Sequence, residues 1–340
     1  MSVNIPNSVT SIGDNAFYNC SSMTNVNIGN SVEDIGTYAF YGCSSLMEFS
    51  IPDCTLTIGS AALVGCENLQ GLIIGSCLAE LPKTGSSQTA DCLSLFDHNT
   101  KYANGTYSSI KKVKINDGDK ELKIPCMYDY LNSKEYSYFG KAPLTELYVG
   151  RPLSLYGSTS AFEGVITLEK AEFGGFCDEV YSLKGCSNLN TLILGKTVKK
   201  VSCDSISDES LSDIYLKASV PPVMSGWFSN RVYRETKLHV PQGALATYQT
   251  AAGWRNFGNI VESNFDDEAG ITVVDSQMEV DISVDGRMIY IDTKGKKTTA
   301  LVYNSAGRLE YEGTDNIIGV NGIGLYIVRV NGQTRKLVVR

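Results

Sequence analysis

Two histidines, two tryptophans and nine prolines are all that 340 residues contain of those types. His98 and His239 lie far apart, and neither has a second ligand type at metal-site spacing, so the local signature of a zinc centre is missing. No Cys-x-x-Cys, His-Glu-x-x-His or Gly-x-Ser-x-Gly occurs, which removes the common local marks of hydrolases. Gly195-Lys196-Thr197 ends like a phosphate loop, yet Asn190 stands where its first glycine is needed. No apolar run reaches eighteen residues, the length a membrane-crossing helix requires. Basic excess is lacking too. The net charge is −8, and since residues 271–340 carry nine Lys or Arg against eight Asp or Glu, the acidic excess falls in the first 270 residues. An acidic chain without a basic stripe argues against nucleic acid and anionic membranes, and in favour of neutral or basic partners. These absences predict a protein that is not an enzyme and carries no cofactor or metal.

What the chain has is repetition. Ala16-Phe17, Cys20 and Met23 recur as Ala39-Phe40, Cys43 and Leu46, then as Ala62-Leu63, Cys66 and Leu69, with 23 residues between successive cysteines. Ile5, Ile28, Ile51 and Ile74 keep the same spacing. One such unit cannot bury its apolar face alone and must stack on a neighbour, so the period predicts a solenoid. Side chains alternate along a strand, which predicts ten short parallel strands with inward pairs at Val3 and Ile5, Val26 and Ile28, Phe49 and Ile51, Leu72 and Ile74, Val113 and Ile115, Leu147 and Val149, Ala171 and Phe173, Leu192 and Leu194, Ile214 and Leu216, and Leu238 and Val240. Cys20, Cys43, Cys66 and Cys186 share one phase and predict an inward ladder of free thiols acting as small hydrophobes. Cys54 and Cys77 share another phase; strands about 4.8 Å apart leave a disulfide or a stacked thiol pair open there.

The series Ile5-Pro6, Val9, Ile12-Gly13, Ala16-Phe17, Cys20 and Met23 resembles the BspA-like leucine-rich repeat of bacterial surface proteins. The resemblance implies a mainly β, right-handed solenoid with a parallel concave sheet over residues 1–261. Met1 falls in mid-repeat, so a leader and earlier repeats are expected to precede it. Longer spacings predict insertions near 83–109 and 117–141. The second is rich in Tyr128, Tyr130, Tyr136, Tyr138 and Phe139, which either line a binding loop or cover the enlarged repeat's own core. Residues 241–261, with a helical stretch from Ala244 to Ala252 and then Trp254, Phe257 and Ile260, resemble the terminal cap of such arrays.

Residues 262–270 read as an acidic linker, and 271–340 as a small antiparallel β-sandwich with turns at Asp285-Gly286, Ala306-Gly307 and Asn331-Gly332. The pieces Val302-Tyr303-Asn304, Gly324-Leu325-Tyr326 and Lys336-Leu337-Val338-Val339 resemble the C-terminal sorting domain of the type IX secretion system. What this implies is export and attachment at the cell surface or outside the cell.

Function is therefore sought on the outward phase of the strands. The stripe is small and polar at Asn4, Asn27 and Ser50, then bulky at Ile73, Lys114, Tyr148, Glu172, Ile193, Tyr215 and His239. Polar-tipped aromatics suit protein interfaces and sugar stacking, unless the insertions or the side chains themselves cover them. The expectation is a monomeric, non-catalytic extracellular adhesion or binding protein whose partner is a protein or glycan of a host or of the cell envelope. The alternatives are an enzyme with its site in the inserted loops, near His98, and a structural spacer for surface display.

Overall fold

A computed structural model describes residues 1–82, 109–125, 127–129, 134–139, 142–156, 161–265, 281–285, 288–292, 300–304, 309–315, 317–320, 324–330 and 333–339. The expectations for His98, Tyr130 and most of the first insertion lie outside them. The chain divides into two compact units, Met1–Val273 and Val274–Arg340.

In the first unit every predicted strand forms: β1 Ser2–Ile5, β2 Asn25–Ile28, β3 Glu48–Ser50, β4 Gly71–Ile74, β5 Lys112–Ile115, β6 Glu146–Val149, β7 Lys170–Phe173, β8 Thr191–Leu194, β9 Asp213–Leu216 and β10 Lys237–Pro241. An eleventh, β11 Ile260–Ser263, pairs parallel with β10. It takes up Glu262 and Ser263, which the sequence reading gives to the linker; two polar residues hide a strand whose pairing is fixed by its neighbour. β1 and β2 pair with each other, and β3 to β11 form one parallel sheet in chain order. Register is in phase throughout, Val3 opposite Val26, Leu72 opposite Val113, Leu192 opposite Ile214. The inward pairs therefore stack, and nearly all are buried in one continuous core. The solenoid is thus a stack of coils, each supplying one strand to this face.

Opposite the main sheet, Ser11–Ile12, Asp34–Ile35 and Thr57–Ile58 pair as a second, three-stranded parallel ladder. The glycine after the second and third isoleucines has a steric cause: a Cβ on Gly36 would lie 2.5 Å from the amide nitrogen of Asp14, and one on Gly59 2.3 Å from that of Thr37, each in the coil before. Adjacent coils touch backbone to backbone here, and only glycine leaves room.

The thiol ladder is present. Cys43 Sγ donates to the carbonyl oxygen of Phe17 at 3.2 Å, Cys66 to Phe40 at 3.3 Å and Cys186 to Phe162 at 3.3 Å. All eight described cysteines are free, Cys54 and Cys77 among them. Burial pushes the thiols of Cys43 and Cys186 up to about 11 and that of Cys66 up to about 12, so they stay protonated donors at neutral pH.

The second insertion is shorter than the spacing suggests. Leu122–Pro125 is a regular strand pairing parallel with Leu153–Tyr156. Tyr138 and Phe139 are buried, and Phe139 stacks on Phe162 at 5.4 Å as Phe17 does on Phe40 at 5.0 Å. These two aromatics fill the coil's own core; the extra length is the antiparallel hairpin of Met127–Asp129 and Lys134–Tyr136.

Near the end of the array, α1 Asn230–Glu235 and α2 Leu245–Thr250 precede β11. Tyr248 and Trp254 are buried; the tyrosine hydroxyl donates to the carbonyl of Ala218 at 2.7 Å and the indole N–H to that of Pro222 at 2.7 Å. Buried ring and satisfied polar tip together close the core.

In the second unit, β12 Asp281–Asp285, β13 Met288–Asp292, β14 Ala300–Asn304, β15 Leu309–Gly313, β16 Ile317–Gly319, β17 Gly324–Val330 and β18 Gln333–Val339 form two antiparallel sheets. Ile289 and Ile291 of one and Val302 and Val328 of the other share a separate core.

Candidate functional site

Each main-sheet strand turns two residues inward and two outward, and the in-phase register lines the outward ones into two rows. The first follows the stripe read from the sequence: Ile73 pairs with Lys114, Lys114 with Tyr148, Tyr148 with Glu172, Glu172 with Ile193, Ile193 with Tyr215 and Tyr215 with His239. The second row runs Glu48, Gly71, Lys112, Glu146, Lys170, Thr191, Asp213 and Lys237. It alternates in sign, and Lys112 and Glu146 pair at 2.8 Å. At the other end Asn27 Nδ2 donates to Asn4 Oδ1 at 2.8 Å.

The bulky part of the stripe is knit to itself. Lys114 Nζ sits 5.9 Å from the centre of the Tyr148 ring, within reach of a cation–π attraction. The Tyr148 hydroxyl donates to Asp117 Oδ1 at 2.5 Å, and burial, together with that bond, pushes the phenol's pKa well above its ordinary value. Lys217, two residues beyond Tyr215 and so on the same face, reaches Glu172 Oε1 at 2.8 Å. Its stem crosses β8, the strand of Ile193. Tyr215 and His239 stack at 4.0 Å with planes 10° apart, and Phe265 meets Tyr215 edge-on at 6.5 Å.

The expectation of an open patch is therefore corrected at three positions: Glu172, Ile193 and His239 are 4, 1 and 8 % exposed. Lys217 reaches across to Glu172, and Tyr215 stacks on His239, an outcome of rotamer and reach that alternation along a strand does not encode. Ile73, Lys114, Tyr148 and Tyr215 stay half-exposed and form the accessible part of the row.

Four further residues belong to this face: Asp117, Asp213, Lys217 and Ser263. Asp213 and Lys217 have the outward parity of Tyr215 and were legible by that rule. Asp117 and Ser263 were hidden in segments read as insertion and linker.

Asp213, His239 and Ser263 make one connected group. His239 Nε2 lies 3.0 Å from Asp213 Oδ1, and Nδ1 lies 2.9 Å from Ser263 Oγ. With Nε2–H donating to the carboxylate, Nδ1 accepts from the hydroxyl, and the three last strands are tied across the face. The residue types are those of a serine nucleophile with its base. Their order differs, because in the serine hydrolase arrangement Nδ1 faces the carboxylate and Nε2 the hydroxyl. Among the described residues no group of three or more His, Cys, Asp or Glu is placed to hold a metal ion.

The family model of the BspA type leucine rich repeat region matches this chain in six copies, over residues 1–98 and 134–235. Among solved structures it is similar to a leucine-rich repeat protein from Bacteroides ovatus, with 16% identity over 78% of this chain and 84% of that one and a TM-score of 0.27. It is similar also to a leucine rich cell surface protein from Faecalibacterium prausnitzii, with 15% identity over 77% and 88% of the two chains and a TM-score of 0.31. No curated protein matches it.

Proposed function

Because the chain belongs to the BspA-type leucine-rich repeat proteins, we propose that it is a non-catalytic binding protein of the cell surface or extracellular space, with the outward row of the main sheet as its ligand face. The observation that carries this is the in-phase ladder from Ile73 to His239, which sets apolar, aromatic and charged groups side by side on a preorganised support. A rigid face limits the side-chain ordering that binding otherwise costs. The occupant is a protein or glycan of a host or of the cell envelope, contacted by Ile73, Lys114, Tyr148 and Tyr215, with Glu172, Ile193 and His239 holding them in place. The resemblance of the C-terminal unit to a secretion sorting domain supports export and surface attachment.

Truncating Tyr148 or Tyr215 would break the Asp117 hydrogen bond or the ring stack that organise the face, so a milder probe changes Ile73 and Lys114, which gives up only the cation–π contact at 5.9 Å. The double variant I73D/K114E is expected to bind a positive hit from an array of purified glycans and secreted proteins at least roughly ten-fold more weakly, the scale of losing one central contact. Its melting temperature should stay within about 2 °C of the parent, as for surface changes in general. Undiminished capture would remove this face from consideration.

A second reading, an enzyme, is favoured by one observation, the Asp213, His239 and Ser263 contacts. A fluorophosphonate probe, which traps activated serines, separates the two. No labelling is expected of the intact chain; labelling lost in Ser263→Ala and in His239→Gln would replace the binding reading with a hydrolytic one.

A further inference from the structure

Beyond the C-terminal ends of β8, β9 and β10, the turns carrying Lys196 to Lys199, Lys217 to Val223, and Pro241 enclose an open cleft of about 610 Å³. Its size is that of ordinary ligand sites. Three of its lining residues are Lys196, Lys199 and Lys217, and none is a carboxylate. On a chain of net charge −8 this is a local reversal of sign. Lys217 is already paired with Glu172, whereas Lys196 and Lys199 are exposed and in no ion pair among the described residues.

The opposite wall is aliphatic. Val220 and Val223 are 75 and 71 % exposed, with Pro221 and Pro222 between them. The four residues follow one another in one turn and so form a contiguous apolar strip rather than scattered single side chains. This wall is also held still. The carbonyls of Ala218 and Pro222 accept from the buried Tyr248 hydroxyl and Trp254 indole, and Val223 N donates to the carbonyl of Lys199 at 2.7 Å, which ties the two walls together.

We propose that this cleft is a second binding site, adjoining the sheet face at Lys217, that takes an extended peptide segment presenting carboxylates beside an aliphatic side chain. Charge complementarity selects the carboxylates, since two ammonium groups in no ion pair among the described residues, in a cleft lined by no carboxylate, raise the local concentration of anions. Aliphatic character selects a peptide over a sugar. No aromatic ring lines the cleft, so a pyranose has no stacking platform, while valine and proline surfaces pack well against a branched aliphatic side chain. The two prolines and the pinned carbonyls lower the ordering cost of binding.

The test is fluorescence anisotropy on the full chain, with a labelled hexapeptide alternating Asp and Val and a control alternating Asn and Val. The acidic peptide should bind at least roughly ten-fold more tightly than the control, and its affinity should fall as ionic strength rises from about 0.05 to about 0.5 M. The variant K196E/K199E should lose that preference, and V220S/V223S should weaken binding of the acidic peptide several-fold; K196Q/K199Q supplies a milder charge removal if reversal disturbs folding. I73D/K114E should leave this binding unchanged, so that failure of the cleft and failure of the sheet face read out separately. Equal binding of the two peptides, or full affinity in both lysine variants, would overturn the proposal.

Discussion

Phe40→Ala is expected to lower the free energy of unfolding by about 3–5 kcal/mol, the usual cost of emptying a buried aromatic site. Phe40 is fully buried, stacked on Phe17 at 5.0 Å and edge-on to Phe49 at 4.9 Å. Coils on both sides hold its cavity open. Its backbone N–H is spent on Ala62 and its carbonyl oxygen receives the Cys66 thiol, so the turns around the site have little freedom to collapse inward. Stability in a stacked array is close to a sum over coils and their interfaces, so the loss falls on two interfaces at once. Asn25→Ala, on the outward row, should change stability by less than about 0.5 kcal/mol. Equilibrium urea unfolding compares the two directly; a Phe40→Ala loss below about 1 kcal/mol would contradict the coil phase assigned here.

Arg151→Met should cost about 2–4 kcal/mol, although it removes a charge from the interior. Arg151 is fully buried after β6, and its two terminal nitrogens donate to the carbonyls of Ser76 at 2.5 Å and Gly75 at 2.9 Å, at the end of β4. The side chain thus passes over the coil of β5. Burial lowers its pKa to about 10, with Cys77 and Asp53 pulling the other way. The sign follows: a cation with a depressed folded pKa is penalised at neutral pH, and the penalty is relieved only between about 10 and the ordinary arginine value. Two charge-assisted hydrogen bonds offset that cost, each worth about 1.5–3 kcal/mol. Methionine fills the volume but strands the buried Gly75 carbonyl, at about 1–3 kcal/mol, and takes a donor from the half-buried Ser76 carbonyl, so the net effect is a loss. Lysine at 151 offers a single ammonium in place of the planar fork and should fall between the two. Chemical denaturation of the three proteins checks the order; an Arg151→Met protein as stable as the parent would show that the guanidinium does not bridge the coils.

Arg151 also shows where reading the chain stops. Nothing in Gly150-Arg151-Pro152 marks an interior residue, since arginine is among the types most often exposed. Its burial depends on carbonyls some seventy-five positions earlier, brought near by stacking. Lys217 is a similar case, meeting Glu172 across an intervening coil. The strand at Leu122–Pro125 and the one at Ile260–Ser263 were missed for a related reason: short strands in a parallel stack are fixed by the partner alongside, and Lys123 or Glu262 gives no local sign of it.

The repeat spacing determined, without coordinates, that the first unit is a stack of coils, which side chains of ten strands point inward, and that four cysteines share one phase, because a fixed period and strand alternation leave one way to bury every apolar pair. Only the tertiary structure decided which outward residues remain open to a ligand. That outcome hangs on the reach of long side chains between coils that are distant in sequence, and on three turns meeting at the lysine-lined cleft, neither of which is a property of any single repeat.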